Sequence, residues 1–139
     1  MNGVIAVRSL LVADIGLTAL VPLSRIAAGM LPQGIDLPAI SLMSVSSVDR
    51  NVPAPGPNRR VTERVQVTVL ARTYPETKAI LAAARKAAAD QMPVIDGLTD
   101  VTIHTDSAGP DFLDEETGIH MQTQDFRVSF NEARLASPS

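Results

Sequence analysis

Two histidines raise the possibility of a metal site. His104 and His120 fall on neighbouring predicted strands, and Asp106 lies close after the first of them. Imidazole and carboxylate groups are common zinc ligands, but no paired ligand spacing accompanies these residues. We therefore interpret both histidines as solvent-facing strand residues. A small metal-dependent or ligand-binding enzyme that uses them is the alternative, and a well-formed pocket containing either histidine would favour it.

An acidic segment raises the possibility of calcium binding. Between residues 106 and 116 lie Asp106, Asp111, Asp114, Glu115 and Glu116. These carboxylates lack the alternating spacing of an EF-hand loop. The segment, called here the acidic turn, is therefore predicted to be solvated.

Covalent catalysis finds no support in the sequence. The chain has no cysteine, and it has no G-x-S-x-G segment and no phosphate-cradling glycine loop. Serines are plentiful, but no motif places a base beside any of them. We therefore predict that the protein is not an enzyme and that it uses no cofactor and no metal.

The charge distribution along the chain indicates assembly instead. Residues 49–60, DRNVPAPGPNRR, form a Pro-rich arm with a basic end between two predicted strands. Connections of this length are usually functional or disordered. Head-to-tail neighbours in a ring could pair the arginines with the acidic turn, and two unrelated solvated loops are an equally open interpretation. The predicted interface residues are Arg50, Pro53, Pro55, Pro57, Arg59, Arg60, Arg64, Arg72, Asp111, Asp114 and Glu115.

The composition is that of one folded domain over residues 1–139. Of the 139 residues, 45% are hydrophobic and 19% are charged, which suits a single ordinary core. The net charge of −3 argues against general nucleic-acid binding, because such binding needs a dense basic surface. Arg8 and Asp14 interrupt the apolar N-terminal run, so we predict neither a signal peptide nor a membrane span.

Two main helices are predicted. The first covers residues 3–13, where apolar residues recur at helical spacing, and Asp14 can cap a short further turn to Leu20. The second starts in TYPE, where Thr73 and Glu76 have capping-box spacing and Tyr74 is the alternative cap. Its predicted buried stripe consists of Ile80, Leu81, Ala84, Ala88 and Met92.

Four strands are predicted, and RVTERVQVTVLART (60–73) is the clearest. Its odd positions from Val61 to Ala71 are mostly apolar and its even positions mostly polar, as in a half-buried strand. Glu63 breaks the apolar row, so the first residues are expected to project past the core. The other strands cover 39–48, 100–106 and 119–133. The facing of the last one changes near 122–125, which predicts a β-bulge or a sharp bend there.

This element order predicts an α+β fold. About four strands form a mostly antiparallel sheet, with the two main helices packed on one face. No repeat and no second domain is visible, and residues 132–139 are expected to form a loose C-terminal tail.

The whole pattern resembles the tail terminator, or tail completion, proteins of long-tailed bacteriophages. The resemblance covers about residues 4–131. It is carried by DIGLTALV and LPQGIDLPAISLMSVS at the start, RVQVTVLARTYPETKAILAAARKAA in the middle, and GIHMQTQDFRVSF at the end, where an aromatic–Arg–Val–x–aromatic segment is typical. The long arm is a departure, because many family members have a shorter connection there.

The resemblance implies a structural virion protein located at the head-proximal end of the tail and assembled in the bacterial cytoplasm. Members form a hexameric ring that ends polymerisation of the tail tube and presents a surface to head-completion proteins. The implied partners are copies of itself, the tube protein and neck proteins, with no membrane. No specific nucleic-acid binding is implied, although DNA can pass through the ring. Another neck component, such as a head-completion or tube-like protein, is the alternative. The resemblance to tail terminators also implies that the arm is a docking element.

Overall fold

Three α-helices pack on one face of a mixed six-stranded sheet in the computed structural model, which describes residues 2–32, 34–53 and 56–134. The helices are α1 (Asn2–Ala13), α2 (Ile15–Leu20) and α3 (Tyr74–Ala88), and a 3₁₀ turn at Leu23–Arg25 follows α2. The strands are β1 (Ile26–Ala28), β2 (Ala39–Arg50), β3 (Asn58–Ala71), β4 (Leu98–Ala108), β5 (Phe112–Asp114) and β6 (Ile119–Ala133). The predicted α+β class is confirmed. The strand number is six rather than about four, because β1 and β5 are too short to show a periodic pattern.

The strand order is β1-β2-β3-β6-β4, and β5 also pairs with β6. Only the β1–β2 pair is parallel among the described strands. β3 and β6 lie at the centre and pair without interruption from Asn58↔Ala133 to Ala71↔His120. At the end of the sheet where β3 begins, β2 and β4 are therefore the two flanking strands.

Local capping follows the sequence closely. The Asp14 carboxylate accepts the N–H of Leu17 at 2.8 Å and starts α2. The Thr73 hydroxyl accepts the N–H of Glu76 and starts α3, so Thr73 rather than Tyr74 is the cap. Both caps satisfy a backbone donor that a helix start otherwise leaves free.

Glu63 and Val61 face the core, so the expectation that the first residues of this strand project past the core is wrong at these two positions. Glu63 is 1% exposed, and its Oε1 accepts the N–H of Gly3 at 3.0 Å in the first turn of α1. A carboxylate is favoured there, because helix N-termini carry free N–H groups and a positive partial charge. A methyl group on Gly3 would lie 2.8 Å from the Glu63 carboxyl carbon, so the glycine allows this close approach.

The predicted bulge in β6 is also wrong. β6 stays in register with β3, and the extra residue lies in β4, where Thr105 pairs with Phe126 but Ala108 with Gln124. The apparent change of facing arises because a polar residue, Gln124, is buried on the helix side. Its side-chain amide donates to the carbonyl of Asp125 at 2.9 Å.

Two boundaries differ from those predicted. The arm is narrower than residues 49–60, because Asp49 and Arg50 belong to β2 and residues 58–60 belong to β3. The tail starts later than residue 132, because β6 runs to Ala133 and the N–H of Arg134 donates to the carbonyl of Pro57 at 2.9 Å. Residues 135–139 lie outside the described chain.

The predicted stripe of α3 is correct except at its end. Ile80, Leu81, Ala84 and Ala88 are buried, but Met92 is 73% exposed. The helix stops at Ala88, and Asp90 adopts a left-handed conformation with φ 60°. Met92 therefore leaves the helical stripe. Among the described helices, none has the length and hydropathy needed to cross a membrane.

Candidate functional site

The β2–β3 hairpin extends beyond the core. All residues of β2 from Met43 to Arg50 are exposed, whereas Ala39–Leu42 are buried. β1 pairs only with Ile40–Leu42, so within the described chain the outer edge of β2 is open from Met43 onward. An open, exposed edge strand offers unpaired backbone groups to another chain.

The arginines at the end of this hairpin differ in their surroundings. Arg59 lies 3.8 Å from Glu132 and 4.0 Å from Asp49. Arg60 donates to the carbonyl of Asp100 at 2.8 Å and to Asn131 at 3.3 Å. Arg50 pairs with Arg60 in the ladder and, among the described residues, forms no ion pair within 4.0 Å.

Arg64 lies on the uncovered face of the sheet and is held within the chain. Its Nη2 lies 2.6 Å from Asp125 Oδ2, and its Nε donates to the same oxygen at 2.7 Å. The Asp125 side chain is only 6% exposed. Nη2 also donates to the Ser107 hydroxyl at 3.2 Å, and Asp106 lies between Arg64 and Arg127. Arg64 is therefore held by ion pairs and hydrogen bonds within its own chain.

Two prolines of the arm lie in the described connection between the arginines. Pro53 and Pro57 are exposed in the connection between β2 and β3. Pro55 lies outside the described residues.

The remaining predicted residues lie at the opposite end of the sheet. Arg72 follows the last residue of β3. Asp114 is the last residue of β5, and Asp111 and Glu115 flank this strand. β5 pairs with the start of β6. At ~3.3 Å per strand residue, this end is about 40 Å from Arg60. The structure therefore brings Arg50, Arg59 and Arg60 together and separates them from Arg72 and from the acidic-turn residues Asp111, Asp114 and Glu115.

Asp111 is engaged by α3. Lys78 Nζ donates to Asp111 Oδ1 at 2.5 Å and to Gln122 at 2.6 Å, and the Tyr74 hydroxyl donates to Asp111 Oδ2 at 2.9 Å. The hydrogen bond from Lys78, followed by that from Tyr74, lowers the pKa of Asp111. The same Asp111 hydrogen bond raises the pKa of Lys78.

Replacing Asp111 with Asn is expected to return the pKa of Lys78 toward its ordinary value of 10.5, which an NMR titration of the Lys78 side chain measures. The stabilisation from Asp111 is present above the ordinary carboxyl pKa of 3.8 and is lost as the pH falls through its lowered folded value. The Lys78 contribution is present below pH 10.5 and is lost as the pH rises through its raised folded value. Asp114→Asn is the control, and equal Lys78 titrations in Asp111→Asn and wild type would contradict the contact.

The histidines do not share a site. His104 pairs with Arg127 in the ladder on the uncovered face, whereas His120 pairs with Ala71 on the helix side. His104 Nδ1 lies 3.0 Å from Asp90, and the His120 ring meets the Tyr74 ring edge-on at 6.3 Å. No cluster of three potential metal ligands occurs among the described residues. The arrangement offers no support for the enzyme alternative.

Sequence reasoning missed two apolar surfaces at the hairpin end of the sheet. Val45, Val48 and Val52 are exposed on or next to β2, and Met92 and Val94 are exposed in the segment between α3 and β4. Val94 is 97% exposed. No periodic pattern marks these residues, since their exposure depends on where α3 ends and on how far β2 extends past β1.

Comparisons with known proteins agree with this architecture. A sequence profile of a family described as "Tail completion protein gp17" matches residues 5–130. No curated protein sequence matches the chain. A solved structure titled "Virion of native gene transfer agent (GTA) particle" contains a chain with a TM-score of 0.74 and 19% identity, and the match covers 93% of this chain and 96% of that one.

Proposed function

From the premise that this chain belongs to the tail completion protein gp17 family, and is thus a structural protein of phage-type tails, we propose that it caps the head-proximal end of the tail tube. Six copies form a ring on the last tube layer, stop further addition of tube subunits and present the surface that head-completion proteins bind. The protein acts in the virion by binding other proteins, and it catalyses no reaction.

The observation that carries this proposal is the projecting β2–β3 hairpin. A monomer gains no core burial from the exposed half of β2, and an open edge strand is an aggregation hazard unless a partner covers it. A rigid sheet with one projecting hairpin suits a subunit that contacts several protein neighbours. The similar chain belongs to the virion of a gene transfer agent particle, which agrees with a role as a virion component.

The hairpin also suits a partner-dependent role. The prolines at Pro53 and Pro57 restrict the connection in the free protein, so less conformational entropy is lost when the connection orders on a partner. Arg50, Arg59 and Arg60 give the hairpin end a basic character in a chain whose net charge is −3. We therefore assign the hairpin to contacts with neighbouring subunits and with the tube or neck proteins.

Electron microscopy of tails assembled with and without this protein tests the proposal. Without it, tails should be overlong and should fail to join heads, and adding it should place a ring at one end. Unchanged tail length and joining would overturn the proposal. Open filaments of the purified protein would indicate a tube-like neck component instead, because a terminator must not propagate.

A further inference from the structure

We propose that, within the ring, the open edge of the β2–β3 hairpin of one copy packs into a cleft on the β4 side of the next copy. The hairpin surface comprises Val45, Val48, Arg50 and Val52. The cleft is formed by residues 92–101, called here the strap. This inference rests on the proposed function, since it identifies the subunit contact that closes the ring.

The hairpin surface is apolar, and Arg50 at its end carries a positive charge. Val48 is 65% exposed, Val45 and Val52 are also exposed, and β1 covers none of them. No Lys and no Pro protects β2 between Met43 and Val48, although such residues commonly blunt an edge strand. Arg50 follows this stretch, without an ion pair among the described residues.

The strap is also apolar, and it carries two exposed carboxylates, of which that of Asp100 accepts a hydrogen bond from the Asn131 side-chain amide at 3.0 Å. Met92, Pro93, Val94, Leu98 and Val101 line a cleft of about 300 Å³ together with Thr99 and Asp100. The strap is held in place because the N–H of Ile103 donates to the carbonyl of Gln91 at 2.9 Å. Asp96 and Asp100 are exposed and form no ion pair within the described chain.

The positions of the two surfaces permit a ring. Arg60 touches the carbonyl of Asp100, so the hairpin and the strap lie at the same end of the sheet. They lie on opposite flanks, since β2 and β4 are the outer strands there. Two different patches at one level on opposite sides of a subunit form a heterologous contact, which closes into a ring when the rotation allows it.

The same geometry disfavours the pairing of the arginines with the acidic turn, which the sequence left open. The acidic turn lies at the far end of β3, so a hairpin that reached it in a neighbour would offset the two subunits by about 40 Å. Such an offset gives a stacked or helical arrangement rather than a flat ring. The strap instead supplies Asp96 and Asp100 at the level of Arg50, beside apolar side chains that match the hairpin valines.

Cysteine cross-linking during tail assembly tests the contact, because the natural chain has no cysteine. The variant Val48→Cys/Val94→Cys should give, on oxidation, a covalent ladder up to the closed ring. The matched variant Val48→Cys/Glu115→Cys, which keeps the same hairpin cysteine but places the second one in the acidic turn, should give no ladder. Each single-cysteine variant controls for random collisions.

The outcomes separate this inference from the proposed function. Rings at tail ends without a Val48–Val94 ladder, or with a Val48–Glu115 ladder, would overturn the inference and leave the cap in place. The expected ladder without rings at tail ends would support the contact and overturn the cap. Absence of both rings and ladders overturns both. A second variant, Arg50→Glu, should reduce the ladder, and Arg50→Glu/Asp96→Arg should restore it.

Discussion

Replacing Val67 with Asp is expected to destabilise the folded chain strongly. Val67 is fully buried at the centre of β3, between Leu42 of β2 and Gln124 of β6. An Asp there would place a carboxylate among apolar side chains without a cation to pair with it. An uncompensated buried charge costs about 3–5 kcal/mol. Because a domain is stable by only about 5–15 kcal/mol, this is a large share of the total.

Circular dichroism and urea unfolding of purified protein measure this effect. Thr68→Asp is the matched control, since Thr68 neighbours Val67 on the same strand, is half-buried on the face away from the helices and lies opposite Ser41 and Thr123. That variant should unfold at a urea concentration close to that of the wild type. A folded Val67→Asp protein with wild-type stability would show that the faces of β3 are assigned the wrong way round.

Shortening the β2–β3 hairpin is expected to abolish capping without unfolding the chain. Residues 51–59 can be replaced with Asn-Gly, which joins Arg50 to Arg60, a pair already opposite each other in the ladder. Asn-Gly favours the tight turn that a two-residue hairpin needs. None of the described residues removed is buried, and the ion pairs of Arg59 are partly exposed and contribute little.

Tail length and head joining, followed by electron microscopy, report this effect. Tails assembled with the shortened protein should resemble tails assembled without any cap, whereas its circular dichroism spectrum should match the wild type. Changing Pro53, Pro55 and Pro57 to Ser keeps the length of the connection. Ordering the connection then becomes less favourable by about 0.4–1 kcal/mol for each proline, because the free chain is less restricted. This control should therefore give a weaker defect. An unfolded shortened protein would place the connection in the core, and normal tails would remove the hairpin from assembly.

Local elements could be predicted because their causes lie within a few residues. The Thr73 hydroxyl caps α3 through a residue three positions later, and Val61 to Ala71 alternate with the period of a strand. The same reasoning failed at Glu63 and Gln124. Both are polar residues on the buried side of the sheet, where their burial depends on packing against distant segments, and Glu63 meets Gly3 of α1 only in the folded chain.

The candidate site could be predicted only in part. The sequence grouped Arg50, Arg59 and Arg60 because they flank a single connection, and the structure places them together at the end of the hairpin. The sequence also grouped them with Arg64, Arg72 and Asp111. Arg64 is held by Asp125, which is 61 residues away in the chain, and Asp111 is held by Lys78, which is 33 residues away. Which charges remain free for a partner is therefore decided by contacts between distant segments.

The sequence by itself determined the α+β class, the helix caps, the faces of β3 and the family resemblance, because these depend on residue type and short-range spacing. The tertiary structure alone decided that the hairpin and the strap share one end of the sheet while the acidic turn lies at the other. The physical reason is strand order. Placing β6 between β3 and β4 sets β2 and β4 on opposite flanks, and no local pattern in the chain encodes that arrangement.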